Sequence, residues 1–121
     1  MAFSVRQCSK EEAIDILNDR SIVRFFSQPF TSLSDDFLCL MVDEIMLAVL
    51  KQHDDGVEIH IACKFRDRSK VKQTIINGLM WLKSKGITTI WTTVPDDRKG
   101  LINLIKSLGF QKSDSRWVYG L

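Results

Sequence analysis

Cysteine is scarce in this 121-residue chain. Cys8, Cys39 and Cys63 form an odd set, widely spaced and without a CxxC pair. That pattern excludes a disulfide framework or a zinc site and points to reduced thiols in a cytosol-like compartment. Proline and glycine are few, at 2 and 6 residues, and no stretch is rich in both. With no linker, repeat or low-complexity tract, residues 1–121 read as one domain with one core. No apolar run approaches the ~20 residues of a membrane span. The start, MAFSVRQCSKEE, has no apolar signal-peptide core, so the expected location is cytoplasmic, away from membranes. Charge of one sign is not in excess either: 17 basic and 15 acidic residues leave +2, too balanced for a dedicated nucleic-acid binder. What is present is ordinary globular usage, 45% hydrophobic and 26% charged, which excludes disorder.

Along the chain, residues 2–7 alternate weakly as a first strand. Ser9-Lys10-Glu11-Glu12 is a capping box, in which the Ser9 hydroxyl accepts from the third helical N–H and Glu12 reaches back to the Ser9 N–H. Ala13, Ile14, Ile16 and Leu17 follow at helical spacing, and Asn18-Asp19 ends the helix. Residues 22–26 read as a short second helix with Phe25 and Phe26 as anchors, before a loop over 28–36. Three apolar runs come next, at 37–42, 45–51 and 57–63. Asp43-Glu44 and His53-Asp54-Asp55-Gly56 separate them, and such turn chemistry makes an antiparallel meander. In the third run Val57, Ile59, Ile61 and Cys63 share one face, while Glu58, His60 and Ala62 share the other.

The period then changes. Val71, Ile75, Leu79 and Leu82 form a helical stripe that Gly86 closes. Residues 87–94 are β-branched and strand-like. Pro95-Asp96-Asp97 opens another helix, with Leu101, Leu104, Ile105 and Leu108 facing inward and Gly109 at its end. Residues 110–113 and 117–121 form a closing hairpin. The order β-α-α-β-β-β-α-β-α-β-β is that of an α/β domain, a mixed sheet with helices on both faces, in which a helical crossover joins two parallel strands.

This order, with the words VEIHIACKFRDRSKVKQTIINGLMWLKSKGITTIW and VPDDRKGLINLIKSLGF, resembles the GNAT (GCN5-related N-acetyltransferase) superfamily over residues 57–110. The resemblance implies an acyl-coenzyme A site at the turn after the third run. In the family that turn reads Arg-x-x-Gly-x-Gly/Ala, and its backbone amides at a helix N-terminus cradle the pyrophosphate of acetyl-coenzyme A. Here it reads Arg66-Asp67-Arg68-Ser69-Lys70-Val71-Lys72-Gln73, with no glycine in either register. The family's asparagine and tyrosine positions before Leu108-Gly109-Phe110 hold Arg98 and Ile105. The tyrosine reprotonates the coenzyme A thiolate in many members, and isoleucine has no proton to donate. Many members carry a general base on the central strand, which implies that role for Glu58 or His60; the plain reading is a polar strand face. Four cations in one helical start, Arg66, Arg68, Lys70 and Lys72, are unfavourable against the helix dipole and favour an anionic partner. Cys63 beside Lys64 reads as a nucleophile or as a buried small hydrophobe.

With glycines and tyrosine both missing, the expectation is a GNAT-like binding or assembly protein that transfers nothing. Short chains of this kind resemble small phage-encoded head-assembly and virion proteins. That implies protein partners, virion components among them, in the host cytoplasm or the virion. Homodimers through residues 117–121 fit the family habit. The alternative is an acyl-coenzyme A-dependent N-acetyltransferase. In that reading Arg66, Arg68, Ser69, Lys70, Val71 and Lys72 hold the pyrophosphate of acetyl-coenzyme A. Glu58 or His60 is the base, and water replaces the tyrosine. A third reading uses the basic turn against nucleic acid. No metal is expected.

Overall fold

The computed structural model describes residues 4–23 and 31–121. The expected anchors Phe25 and Phe26 lie outside the described residues. The elements follow the expected order: β1 (Val5–Gln7), α1 (Lys10–Leu17), α2 (Arg20–Val23), β2 (Leu38–Val42), β3 (Met46–His53), β4 (Gly56–Cys63), a 3₁₀ helix (Phe65–Lys70), α3 (Val71–Ser84), β5 (Thr89–Thr92), α4 (Lys99–Leu108), β6 (Gln111–Ser113) and β7 (Arg116–Gly120). They form one seven-stranded sheet in the order β1-β2-β3-β4-β5-β7-β6. Among the described residues only β4 and β5 pair in parallel; the other pairs are antiparallel.

Alternation along the strands sorts side chains to the two faces. Leu40, Val42, Ala48, Leu50, Val57 and Ile90 face α3 and α4, where Ile75, Leu79, Leu82 and Ile105 complete the larger core. Cys39, Met41, Leu47 and Val49 face Ala13 and Leu17 of α1 and Ile22 of α2. The helices thus lie on both faces, α1 and α2 on one and α3 and α4 on the other.

Local chemistry explains the ends of these elements. Ser9 caps α1 by accepting the Glu12 N–H at 3.1 Å. The return half of the expected capping box is replaced, because the Glu12 carboxylate takes two hydrogen bonds from Arg6 on β1. That guanidinium also holds Glu44 in the β2–β3 turn. The second helix starts earlier than expected: the Asp19 carboxylate accepts from both the N–H and the hydroxyl of Ser21. Asp43 and Glu44, both at φ 55°, make the turn between β2 and β3, closed by the Ile45 N–H on Val42 C=O; strand pairing resumes at Met46. Helices α3 and α4 end in the same motif. Gly86 and Gly109 take positive φ, and the Ile87 and Phe110 N–H groups reach back to Leu82 and Ile105 C=O. That closure trims the expected strand over 87–94 to Thr89–Thr92. Pro95 likewise begins a turn, not the helix, and α4 starts at Lys99.

One buried polar chain ties α3 to the β2–β3 turn. Asn77, 6% exposed, donates Nδ2–H to the Asp43 carboxylate at 2.7 Å and accepts from Gln73. Hydrogen bonds to a charged group are worth about 1.5–3 kcal/mol. Asn77→Ala is therefore expected to cost about 2 kcal/mol, read as a lower urea midpoint at unchanged slope.

Candidate functional site

The central feature is a gap between the two parallel strands. Strands β3 and β4 pair along their full length, from Met46↔Cys63 to His53↔Gly56. Strands β4 and β5 pair only at Val57↔Ile90 and Glu58↔Trp91. Beyond Glu58 they diverge, and among the described residues no strand pairs with that edge of β4. A cavity of about 440 Å³ reaches into this divergence, lined by Ile59, His60 and Ile61 on one side and Thr92, Thr93 and Val94 on the other. A second cavity of about 450 Å³ lies at the C-terminal end of β4, between Ala62, Cys63, Arg68 and Val71 and the start of α4 at Arg98 and Lys99.

Glu58 and His60 project from the same face of β4 where the gap opens. The Glu58 Oε2 lies 2.6 Å from His60 Nε2. The register brings in a residue that the sequence reading passed over. Lys51 pairs with Glu58, so His53, two residues further along β3, sits diagonally across, and its Nε2 lies 2.8 Å from Glu58 Oε1. The carboxylate is therefore held between two imidazoles. Burial raises the Glu58 carboxyl, but the hydrogen bonds to His60 and His53 outweigh it and hold it below the usual carboxylate range. The side chains of His53, Glu58 and His60 are 31%, 18% and 39% exposed, so the cluster is neither sealed nor free in solvent.

Trp91 backs this cluster. The His53 ring lies 5.1 Å from its centroid, and the Arg116 guanidinium sits 3.8 Å over it. Asp55 holds Arg116 at 2.6 Å. The indole N–H of Trp91 is buried without a hydrogen-bond partner, and nothing in the structure accounts for it.

The basic turn differs from an open amide loop. Residues 65–70 form a 3₁₀ helix, whose N–H groups turn to carbonyls three residues back, and the Val71 N–H continues the pattern to Arg68 C=O. The Asp67 and Val71 amides are thus bonded within the turn. Arg66 is exposed and pairs with Asp67 at 3.8 Å. Ser69, Lys70 and Lys72 are exposed, and Val71 is half-buried against the larger core. Arg68 is structural: its Nε donates to Cys63 C=O at 3.3 Å and its Nη2 to Ser21 C=O at 2.7 Å, joining α2 to the end of β4. Of the six turn residues singled out from the sequence, Arg68 and Val71 line the second cavity. Arg98 and Lys99, not singled out as ligands, line it with them. Cys63 is buried, donates to Ile45 C=O at 3.7 Å, and burial pushes its thiol up, as for a small core residue. Ile105, at the family's tyrosine position, is 4% exposed in the larger core. Among the described residues no three His, Cys, Asp or Glu side chains are placed to hold a metal ion, and no helix is long and apolar enough to cross a membrane.

No family model matches the sequence, and no curated protein matches it. Solved structures do. The structure of an acetyltransferase of the GNAT family from Streptococcus pneumoniae superimposes with a TM-score of 0.71, covering 99% of this chain and 99% of that one at 13% identity. The chain has the GNAT fold. A spermidine N-acetyltransferase from Vibrio cholerae, solved in complex with CoA and spermine, gives 0.76 over 98% of this chain and 95% of that one at 15% identity. The Escherichia coli ribosomal-protein-S18-alanine N-acetyltransferase gives 0.69 over 99% and 93% at 16%. Each covers nearly the whole of both chains, so the likeness extends over the full fold.

Proposed function

We propose that this protein is an acyl-coenzyme A-dependent N-acyltransferase that works at the β4–β5 gap. The observation that carries this reading is the Glu58 carboxylate, gripped by two imidazoles on the strand that borders the gap. A polar strand face would leave such side chains in solvent; here they converge. The unpaired edge of β4 offers backbone groups to an extended amide chain such as the pantetheine arm. Arg98 and Lys99 beside the second cavity supply charge for phosphates, with exposed Lys70 at the preceding turn. An amine then attacks the thioester carbonyl, its proton passes to the Glu58–His60 cluster, and the thiolate leaves and takes a proton from solvent. No phenol at position 105 is needed for that last step. A structural neighbour was solved with CoA bound.

Specific observations favour a second reading, a GNAT-fold binding or assembly protein without transfer. These are the 3₁₀ turn, with no glycine from Arg66 to Gln73, and Ile105 in place of tyrosine. Its partner would be another protein, a head-assembly or virion component, or a second copy joined through residues 117–121.

Calorimetry with acetyl-coenzyme A separates the two. Micromolar binding is expected, weakened about tenfold in Lys99→Ala, the loss of one charge-assisted contact, with no change in melting temperature because Lys99 is exposed. Thiol release should then appear on adding primary amines. Folded protein that gives no heat at millimolar ligand would overturn the acyltransferase reading.

A further inference from the structure

Resting on the acyltransferase reading, we infer that His60 accepts the amine proton through Nδ1, and that Glu58 and His53 are positioning residues which hold its ring in the tautomer that leaves this nitrogen bare.

An ionised carboxylate only accepts hydrogen bonds. Glu58 meets one imidazole Nε2 at 2.8 Å and the other at 2.6 Å, so both Nε2 atoms must carry protons. In a neutral ring the lone pair then sits on Nδ1. The two contacts occupy different oxygens, Oε1 for His53 and Oε2 for His60. Rotation of the carboxylate toward one ring would release the other.

The two rings are not equivalent. His60 lines the cavity that spans the divergent strands, opposite Thr92 and Thr93, and His53 does not. His53 is packed on Trp91, over whose ring lies Arg116, itself held by Asp55. His53 thus fixes the carboxylate from the hairpin end, and the carboxylate fixes His60 at the gap. Glu58 is the poorer base of the two for a physical reason: its hydrogen bonds hold the carboxylate ionised, which weakens its pull on a proton. As the amine nitrogen bonds to the thioester carbon and the C–S electrons leave with sulfur, the amine proton moves to His60 Nδ1. The imidazolium that forms faces the Glu58 carboxylate through Nε2–H, a charge-assisted contact. The proton then returns to solvent.

The chain has just two histidines, so a two-bond ¹H–¹⁵N correlation spectrum at neutral pH reads both rings without ambiguity. Both are expected as the Nε2–H tautomer. In Glu58→Gln one acceptor oxygen becomes an NH₂ donor, and one ring should switch to Nδ1–H. In transfer assays His60→Ala should lower kcat by about 10²-fold or more, with the KM for acetyl-coenzyme A unchanged. Glu58→Gln should lose about tenfold, and His53→Ala less than either. An Nδ1–H tautomer for His60 in the unsubstituted protein would overturn the inference. So would a His60→Ala variant that keeps its rate while Glu58→Gln loses it. If the unsubstituted protein has both Nε2–H rings but transfers no acyl group, the acyltransferase reading and the base role of His60 both fall, and the positioning by Glu58 stands.

Discussion

Gly56→Ala is expected to lower folding stability by about 3 kcal/mol, a shift of roughly a hundredfold or more in the unfolded fraction. Two costs coincide at this residue. Its φ of 141° lies where side chains are strained, and an added Cβ would sit 2.9 Å from the Thr89 carbonyl oxygen and 3.4 Å from the Thr89 carbonyl carbon and Cβ. The neighbour is the backbone of β5, which cannot swing away as a side-chain tip would. Gly56 directly precedes Val57 and Glu58, the two residues through which β4 meets β5. One of their partners is Ile90, fully buried. Relief of the clash would therefore have to spread the strands where they pair. Urea denaturation gives the loss, and fluorescence of Trp91, two residues beyond Thr89, gives the local displacement. Alanine at position 56 with unchanged stability would mean that the approach of the two strands is soft, and that the gap beyond them has no fixed width.

The second large effect is expected at Arg68. Its guanidinium bonds two main-chain carbonyls from elements far apart in sequence, Ser21 in α2 and Cys63 at the end of β4. Arg68→Ala removes both charge-assisted bonds and should cost about 3 kcal/mol. Hydrogen exchange should rise at 20–23, whose helix is only four residues long and too short to persist alone. Arg68→Lys should recover about half, because an ammonium lacks the planar fork that spans two acceptors. Lys70→Ala, at an exposed position two residues away, should leave stability unchanged. The pair also guards the interpretation of ligand binding. Weakened binding of acetyl-coenzyme A in Arg68→Ala would accompany a loosened wall of the second cavity, whereas the same loss in Lys70→Ala would report charge alone. Equal stability of Arg68→Ala and the parent would remove the strut role.

What could be read from sequence and what could not divide along a physical line. Features governed by neighbours in the chain were legible: the Ser9 cap, the turn at Asp43-Glu44, the glycine ends of α3 and α4, and the alternation that puts Glu58 and His60 on one face. Even there, Glu12 left its expected local bond for Arg6, because a bidentate ion pair outcompetes a single amide contact. Features that depend on register were not legible. His53 reaches Glu58 only because Lys51 and Glu58 are opposed across β3 and β4, and no spacing rule along the chain announces that. The cations at 66–72 read as one patch, yet the 3₁₀ turn sends Arg68 inward to carbonyls and leaves Arg66, Lys70 and Lys72 outside. Lys99 gained its place beside the second cavity because Pro95 delays the helix by a turn.

The short contact between β4 and β5 also bears on how the protein avoids sticking to itself. Unpaired strand edges invite other strands. At the rims of this sheet the outermost strands, β1 and β6, are three residues each, and they carry Arg6 and Lys112, so neither offers a long uncharged template. The longer open edge, from Ile59 to Cys63, lies inside the sheet, across the cleft from Thr92, Thr93 and Val94, and not at a rim. The place where the fold leaves main-chain hydrogen-bonding capacity unspent is thus also the place least exposed to aggregation.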